Sequence, residues 1–208
     1  ARKRNLRNYS VCPGNKLTPP AVAALLDSGE AKIDGFILPG HVSVIIGAGG
    51  WRFIADRYRV PCVIAGFAGH DLVAGTLALV EMVVRGKTGM INEYARAVKE
   101  EGNPMALDIL ERVFVRADSH WRGIGLIPES GFVPAPDYAE FNAFERFPVD
   151  VPPAREHAGC RCGEVLKGIL TPVECALFGR VCSPENPVGP CMVSTEGTCS
   201  AYYKYGRK

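Results

Sequence analysis

The stretch "IDGFILPGHVSVIIG" (residues 33–47), with "CVIAGF" (62–67) and "HDLVAGTLALVEMVVRG" (70–86) after it, decides the fold class. "IDGFIL", "VSVIIG" and "CVIAGF" are short β-rich runs bounded by Gly and Pro, so they read as strands. The third stretch repeats apolar residues at helical spacing. Outward from this centre, "NYSV" (8–11) adds a strand-like run, and "PPAVAALLDS" (19–28) and "ALDILERVF" (106–114) add helical patterns. Alternation of this kind predicts an α/β layer, a mostly parallel sheet flanked by helices.

The bulk properties agree with a folded chain and narrow its partners. At 208 residues and 47% hydrophobic, it can bury a core as one or two domains. A net charge of +2, from 24 basic and 22 acidic residues, offers no broad field to nucleic acid or an anionic membrane. The basic start, Arg2, Lys3, Arg4 and Arg7, reads as a solvated terminal face. The longest apolar region, 72–84, is interrupted by Glu81 and falls short of the roughly 20 apolar residues of a spanning helix. No apolar run before a cleavage site announces secretion, and the chain reads as cytoplasmic. The absence of an initiator methionine reads as processing, or as a piece of a longer chain.

The cysteines mark a second region. Cys12 and Cys62 stand alone, whereas six of the eight fall between Cys160 and Cys199. "RFPVDVPPAREHAG" (146–159), with three prolines and no period, reads as an extended linker. The expected organisation is an α/β domain over 1–145, followed by the linker and a small cysteine-rich domain over 146–208.

Three readings compete for "CRCGEVLKGILTPVECALFGRVC" (160–182) with Cys191 and Cys199. A disulfide framework suits an oxidising compartment, which nothing here suggests. A structural zinc site usually draws on CxxC knuckles, and the gaps here are one, twelve, six, eight and seven residues. That argues against a zinc ribbon and leaves a looser site open. An iron-sulfur cluster takes thiolates from separated turns, so irregular spacing with intervening Gly and Pro favours it. Some of the six can also be buried small hydrophobes.

"CRCGEVLKG" and "PVECALFGRVCSPENPVGPCMVSTEGTCSAYYKY" resemble the C-terminal signature of the HypD family of hydrogenase maturation factors. "IDGFILPGHVSVIIG" and "PCVIAGF" resemble its central domain, so the likeness runs over nearly the whole chain. The resemblance implies a scaffold of [NiFe]-hydrogenase assembly, redox-active without being a conventional turnover enzyme. Such a scaffold works with a HypC-type chaperone and a HypE-type cyanide donor. Iron bearing cyanide and CO ligands is built transiently on the complete protein, and a [4Fe-4S] cluster relays electrons. The ligands so implied are Cys162, Cys175, Cys182 and Cys199. Cys160 and Cys191 then serve as packing or substitute thiols, and a swap of Cys191 for Cys199 is the nearest alternative. The competing reading is a zinc-bound or structural docking module with no redox role.

"LPGHVS" carries the other candidate site. Pro39 and Gly40 break the predicted strand and place His41 and Ser43 beyond its carboxyl end, where α/β sheets commonly bind ligands. The family's "PGHVS" motif faces the cleft between its domains, which implies hydrogen bonding or proton movement by His41. Gly47, Gly49 and Gly50 do not fit GxGxxG, so no nucleotide site is read there. Tyr202, Tyr203 and Tyr205 could shield the cysteine site, and Glu164 and Lys167 are read as a surface ion pair. The chain departs from the family at "GFAG", where "GFEP" is expected, so Ala68 stands in place of an acid. The family's N-terminal CPVC-type pair, another cleft cysteine and "GFETT" are also missing. Cys12 and Cys62 therefore read as structural, and the chain alone as inactive in maturation.

Overall fold

The computed structural model describes residues 1–150 and 157–206; residues 151–156 of the expected linker lie outside the described residues. Strands β1 (Phe36–Pro39), β2 (Cys62–Ala65) and β3 (Met90–Asn92) form a parallel sheet in the order β1-β2-β3. Phe36 lies opposite Cys62, and Cys62 opposite Met90. Every residue of β2 is buried, as expected of a central parallel strand covered on both faces.

Parallel neighbours cannot be joined by a tight turn, so the chain between β1 and β2 must cross over, usually as helix. The crossover is α2 (Gly40–Ile46) and α3 (Arg52–Tyr58). "VSVIIG" is therefore helical and not a strand. A short apolar run has the same periodicity in either state, and the need for a crossover decides it here. Gly47 stops α2 with φ at +80°. It lies against Gly102, itself at +73°, so closely that a Cβ on Gly47 would fall 2.3 Å from the Glu100 carbonyl oxygen. Gly47 and Gly49 of "GAGGW" thus serve a backbone crossing. "NYSV" is no strand either: Val11 makes only an isolated bridge with Asn142.

The predicted helices are α1 (Thr18–Asp27), α4 (Gly69–Val84) and α5 (Pro104–Val113). Asn103 caps α5, its side chain accepting from the Ala106 amide at 3.1 Å. Helix α4 packs over β1 and β2, with Asp71, Gly75 and Met82 buried. Its outward residues Val73, Leu77, Val80 and Val84 are 70%, 59%, 52% and 80% exposed, an apolar stripe at helical spacing. Among the described residues no helix is long and apolar enough to cross a membrane.

A two-stranded sheet of β4 (Phe114–Trp121) and β5 (Gly125–Pro134) follows, joined by a three-residue turn. The rest is short: α6 (Ala143–Arg146), α7 (Cys162–Leu166), α8 (Pro190–Val193) and α9 (Thr198–Tyr205). Contacts divide the chain into two compact units. The first comprises Ala1–Pro19, Ile33–Ala117 and Gly131–Phe147, with Trp51, Ile54, Cys62, Val63 and Ile64 wholly buried. The second comprises Pro20–Lys32, Asp118–Ser130 and Pro148–Lys208. Its core is built on Cys162, Val165, Cys182, Cys191, Met192 and Cys199.

Candidate functional site

In the second unit the cysteines arrive on short elements. Cys162 opens α7, Cys191 lies in α8, and Cys199 lies in the first turn of α9. Cys175 follows a 3-10 turn, Pro172–Glu174, fixed by Thr171 and Glu174 in a reciprocal capping box. Cys182 closes a tight turn in which its amide donates to the Leu177 carbonyl and its own carbonyl accepts from Gly179. Pro and Gly between the cysteines serve these reversals.

All six thiols line one cavity, with Arg161, Val165, Leu177, Phe178 and Met192 among its other walls and, among the described residues, no carboxylate or imidazole. Cys162, Cys182, Cys191 and Cys199 are buried; Cys160 and Cys175 are half-buried. The Sγ atoms of Cys191 and Cys199 are 3.0 Å apart, and the Val188 amide donates to Cys182 Sγ at 3.4 Å. Burial pushes the Cys160 thiol up. A hydrogen bond with Cys162 pulls Cys191 down, but its contact with Cys199, with burial, leaves it raised to about 11. None of the eight cysteines is in a disulfide. Among the described residues no three His, Cys, Asp or Glu side chains are arranged to hold a single metal ion.

Thiols as the metal-binding side chains, with largely apolar walls, are the donor set of an iron-sulfur cluster, so these residues fit that group in kind, with two thiols more than the four it takes. The thiols close around a space of only about 10 Å³, so a cluster would have to spread them. Phe178, in the cavity wall, meets Tyr202 and Tyr203 edge-on at 6.3 and 5.9 Å, while Tyr205 points out to solvent, 83% exposed. Glu164 and Lys167 do not pair with each other. Glu164 takes Arg161, and Lys167 reaches Glu30, because nearer or better-aimed partners exist for both.

In the first unit, His41 sits in the opening turn of α2, beyond the carboxyl end of β1, exposed and tilted on Phe67 with ring centres 4.4 Å apart. Ser43 is wholly buried and structural: its hydroxyl donates to the Pro39 carbonyl at 2.8 Å and accepts from Trp51 Nε1 at 2.9 Å.

A profile described as "HypD: Hydrogenase formation hypA family" matches residues 1–206. The chain belongs to the HypD family. It is 42% identical over 214 residues to the hydrogenase expression/formation protein HupD of Azotobacter chroococcum mcd 1, covering 100% of this chain and 56% of that one. It is 40% identical over 214 residues to the hydrogenase maturation factor HypD of Cupriavidus necator, with the same coverage. A putative hydrogenase expression/formation protein of Methanocaldococcus jannaschii is 39% identical over 208 residues, covering 99% of this chain and 57% of that one. The chain thus spans little more than half the length of these HypD relatives.

One polar group of this HypD chain was not legible as a site residue. At Ala68, the N-cap of α4, there is no acid, but three residues on Asp71 is buried and takes two hydrogen bonds from Arg96, at 2.7 and 2.6 Å. Those bonds hold the Asp71 carboxyl below its ordinary range against the opposing effect of burial. His70 Nε2 lies 3.3 Å from the same carboxylate, and Arg96 stacks 4.4 Å over Tyr94. The available signal was spacing: Asp71 falls one helical turn before Gly75 on the face of α4 that must be buried.

Proposed function

We propose that this chain is the central and C-terminal part of a [NiFe]-hydrogenase maturation scaffold of the cytoplasm. It carries a [4Fe-4S] cluster on Cys162, Cys175, Cys182 and Cys199. With a HypC-type chaperone, and cyanide from a HypE-type donor, the complete protein supports assembly of an Fe(CN)2CO group, to which the cluster supplies electrons when bound. The carrying observation is that six thiols and, among the described residues, no other metal-binding side chain line one cavity. On this reading 146–208 is the linker and cluster domain, and 1–145 is the partner side. His41 stands exposed there to hold or move a proton at its imidazole, and the apolar stripe of α4 gives a docking partner something to cover.

Anaerobic reconstitution followed by iron and sulfide analysis tests it. The expected result is about four of each per chain, as a cubane requires. Single Cys→Ala changes at the four ligands should lose iron, and Cys191→Ala should keep it. Iron lost from Cys191→Ala and kept by Cys199→Ala would exchange those two assignments. Stoichiometric zinc without sulfide, in protein never exposed to oxygen, would replace the relay with a docking module. In a strain lacking its own HypD, this chain alone should not restore hydrogenase activity; restored activity would mean that its own thiols suffice.

A further inference from the structure

The turn between β4 and β5 reaches the cysteine site, although nothing in its sequence announces chemistry. It is held rigidly. The Ile124 amide donates back to the Trp121 carbonyl at 2.9 Å, and Trp121 Nε1 donates to the Oγ of Ser130, a wholly buried residue whose hydroxyl in turn donates to the Ile127 carbonyl. At the tip, Gly123 has φ of +87°, and its backbone lies against α7 so tightly that a Cβ on Gly163 would fall 2.6 Å from the Gly123 carbonyl oxygen. A Cβ on Gly123 would stand 3.6 Å from Cys162 Sγ. Arg122, beside it, shares one small cavity with Cys160, Cys162 and Val188. Its guanidinium donates to the Val188 carbonyl at 3.2 Å, and the Val188 amide is the group that donates to Cys182 Sγ.

We propose that Arg122, through its charge and its hold on Val188, sets the reduction potential of the group bound by Cys162 and Cys182. This rests on the cluster reading above. Uptake of one electron adds one negative charge at the cysteine site. A fixed cation nearby stabilises the reduced form more than the oxidised one, and so does an amide hydrogen bond to a ligand sulfur. Both contributions raise the midpoint potential. Arg122 is a tuning residue: it ligates nothing, and the thiolates hold the group without it.

The test is an anaerobic redox titration of the reconstituted protein, with dithionite as the electron donor and the reduced cluster followed by electron paramagnetic resonance. Arg122→Leu should leave iron and sulfide content unchanged and move the midpoint to more negative potential. Arg122→Lys, which keeps the charge, should move it less. Equal midpoints for wild type and Arg122→Leu at equal iron content would overturn the proposal while leaving the cluster reading intact. A wild-type chain that takes up no iron and sulfide would remove both, and the metal analysis made before the titration tells the two failures apart. A lowered melting temperature with an unmoved midpoint would make the contact to Val188 merely structural.

Discussion

Replacing Ser43 by Ala is a small change in volume with a large expected effect, because the Ser43 hydroxyl stands between two buried groups. Trp51 and Ser43 are both wholly inaccessible, so no water can take the place of the hydroxyl as acceptor for Trp51 Nε1, now 2.9 Å away. An orphaned buried donor costs roughly 1–3 kcal/mol, and we take about 2. Trp51→Phe removes the N–H itself and leaves a void costing about 1–3 kcal/mol. In that background Ser43→Ala loses only the bond to the Pro39 carbonyl, about 1 kcal/mol or less. The Pro39 bond is lost in both backgrounds and cancels, so the two substitutions should couple by about 2 kcal/mol, the cost of the orphaned indole. Hydrogen exchange of the β2 amides reads this locally, without requiring the whole chain to unfold in one step. At about 1.4 kcal/mol per factor of ten, Ser43→Ala should reduce protection roughly a hundredfold in the natural chain, where it both orphans the indole and loses the Pro39 bond, and no more than about fivefold with Phe at position 51. Equal factors in both backgrounds would refute the reasoning, since the orphaned indole would then carry no cost.

Three further outcomes are expected. The Asp71 carboxyl is held below its ordinary range by Arg96, so the pair's stabilisation is complete above that range and is lost as pH falls through the depressed value. Asp71→Asn should accordingly be least stable relative to the natural protein near neutral pH, with the deficit shrinking toward acid in thermal melts at a series of pH values. Gly47→Ala forces a Cβ onto a residue at φ +80° and into the Glu100 carbonyl, so it should cost more than the roughly 1–2 kcal/mol of left-handed strain alone, measured by urea unfolding. Burial pushes the Cys62 thiol up to about 11, which leaves about one in a thousand ionised at pH 8. Mass spectrometry after brief alkylation should therefore find exposed Cys12 modified well before Cys62.

The parallel layer was legible because β1 and β2 follow their own composition: short, apolar, bounded by Gly or Pro. "VSVIIG" misled because local sequence does not say that the two strands flanking it pair directly, and it is that pairing which requires a helix between them. The β4–β5 hairpin went unread: its exposed positions mix Val115 and Leu126 with Arg116, Asp118 and Glu129, and its burial pattern alternates only in part. At the cysteines, spacing revealed that a thiol site exists, and the structure brings all six to one cavity. Spacing did not reveal which neighbours serve the site, because Arg122 comes from 38 residues before the first of them and is joined to them only by tertiary structure.

The core of the second unit has a consequence for how the cell handles this chain. Among the described residues, four of the six that build this core are cysteines, and the helices bearing three of them run four to eight residues, too short to hold together by themselves. Val165, Met192 and the partly buried Leu166, Leu170, Leu177, Phe178 and Val188 pack around these thiols, and on the cluster reading the bound group would fasten the same core, so that folding would be linked to its delivery. Polypeptide synthesised during iron shortage would present a loose, protease-accessible tail, and its steady-state abundance would follow iron nutrition without any dedicated regulator. On that reading, turnover by housekeeping proteases would match the supply of this chain to the available iron.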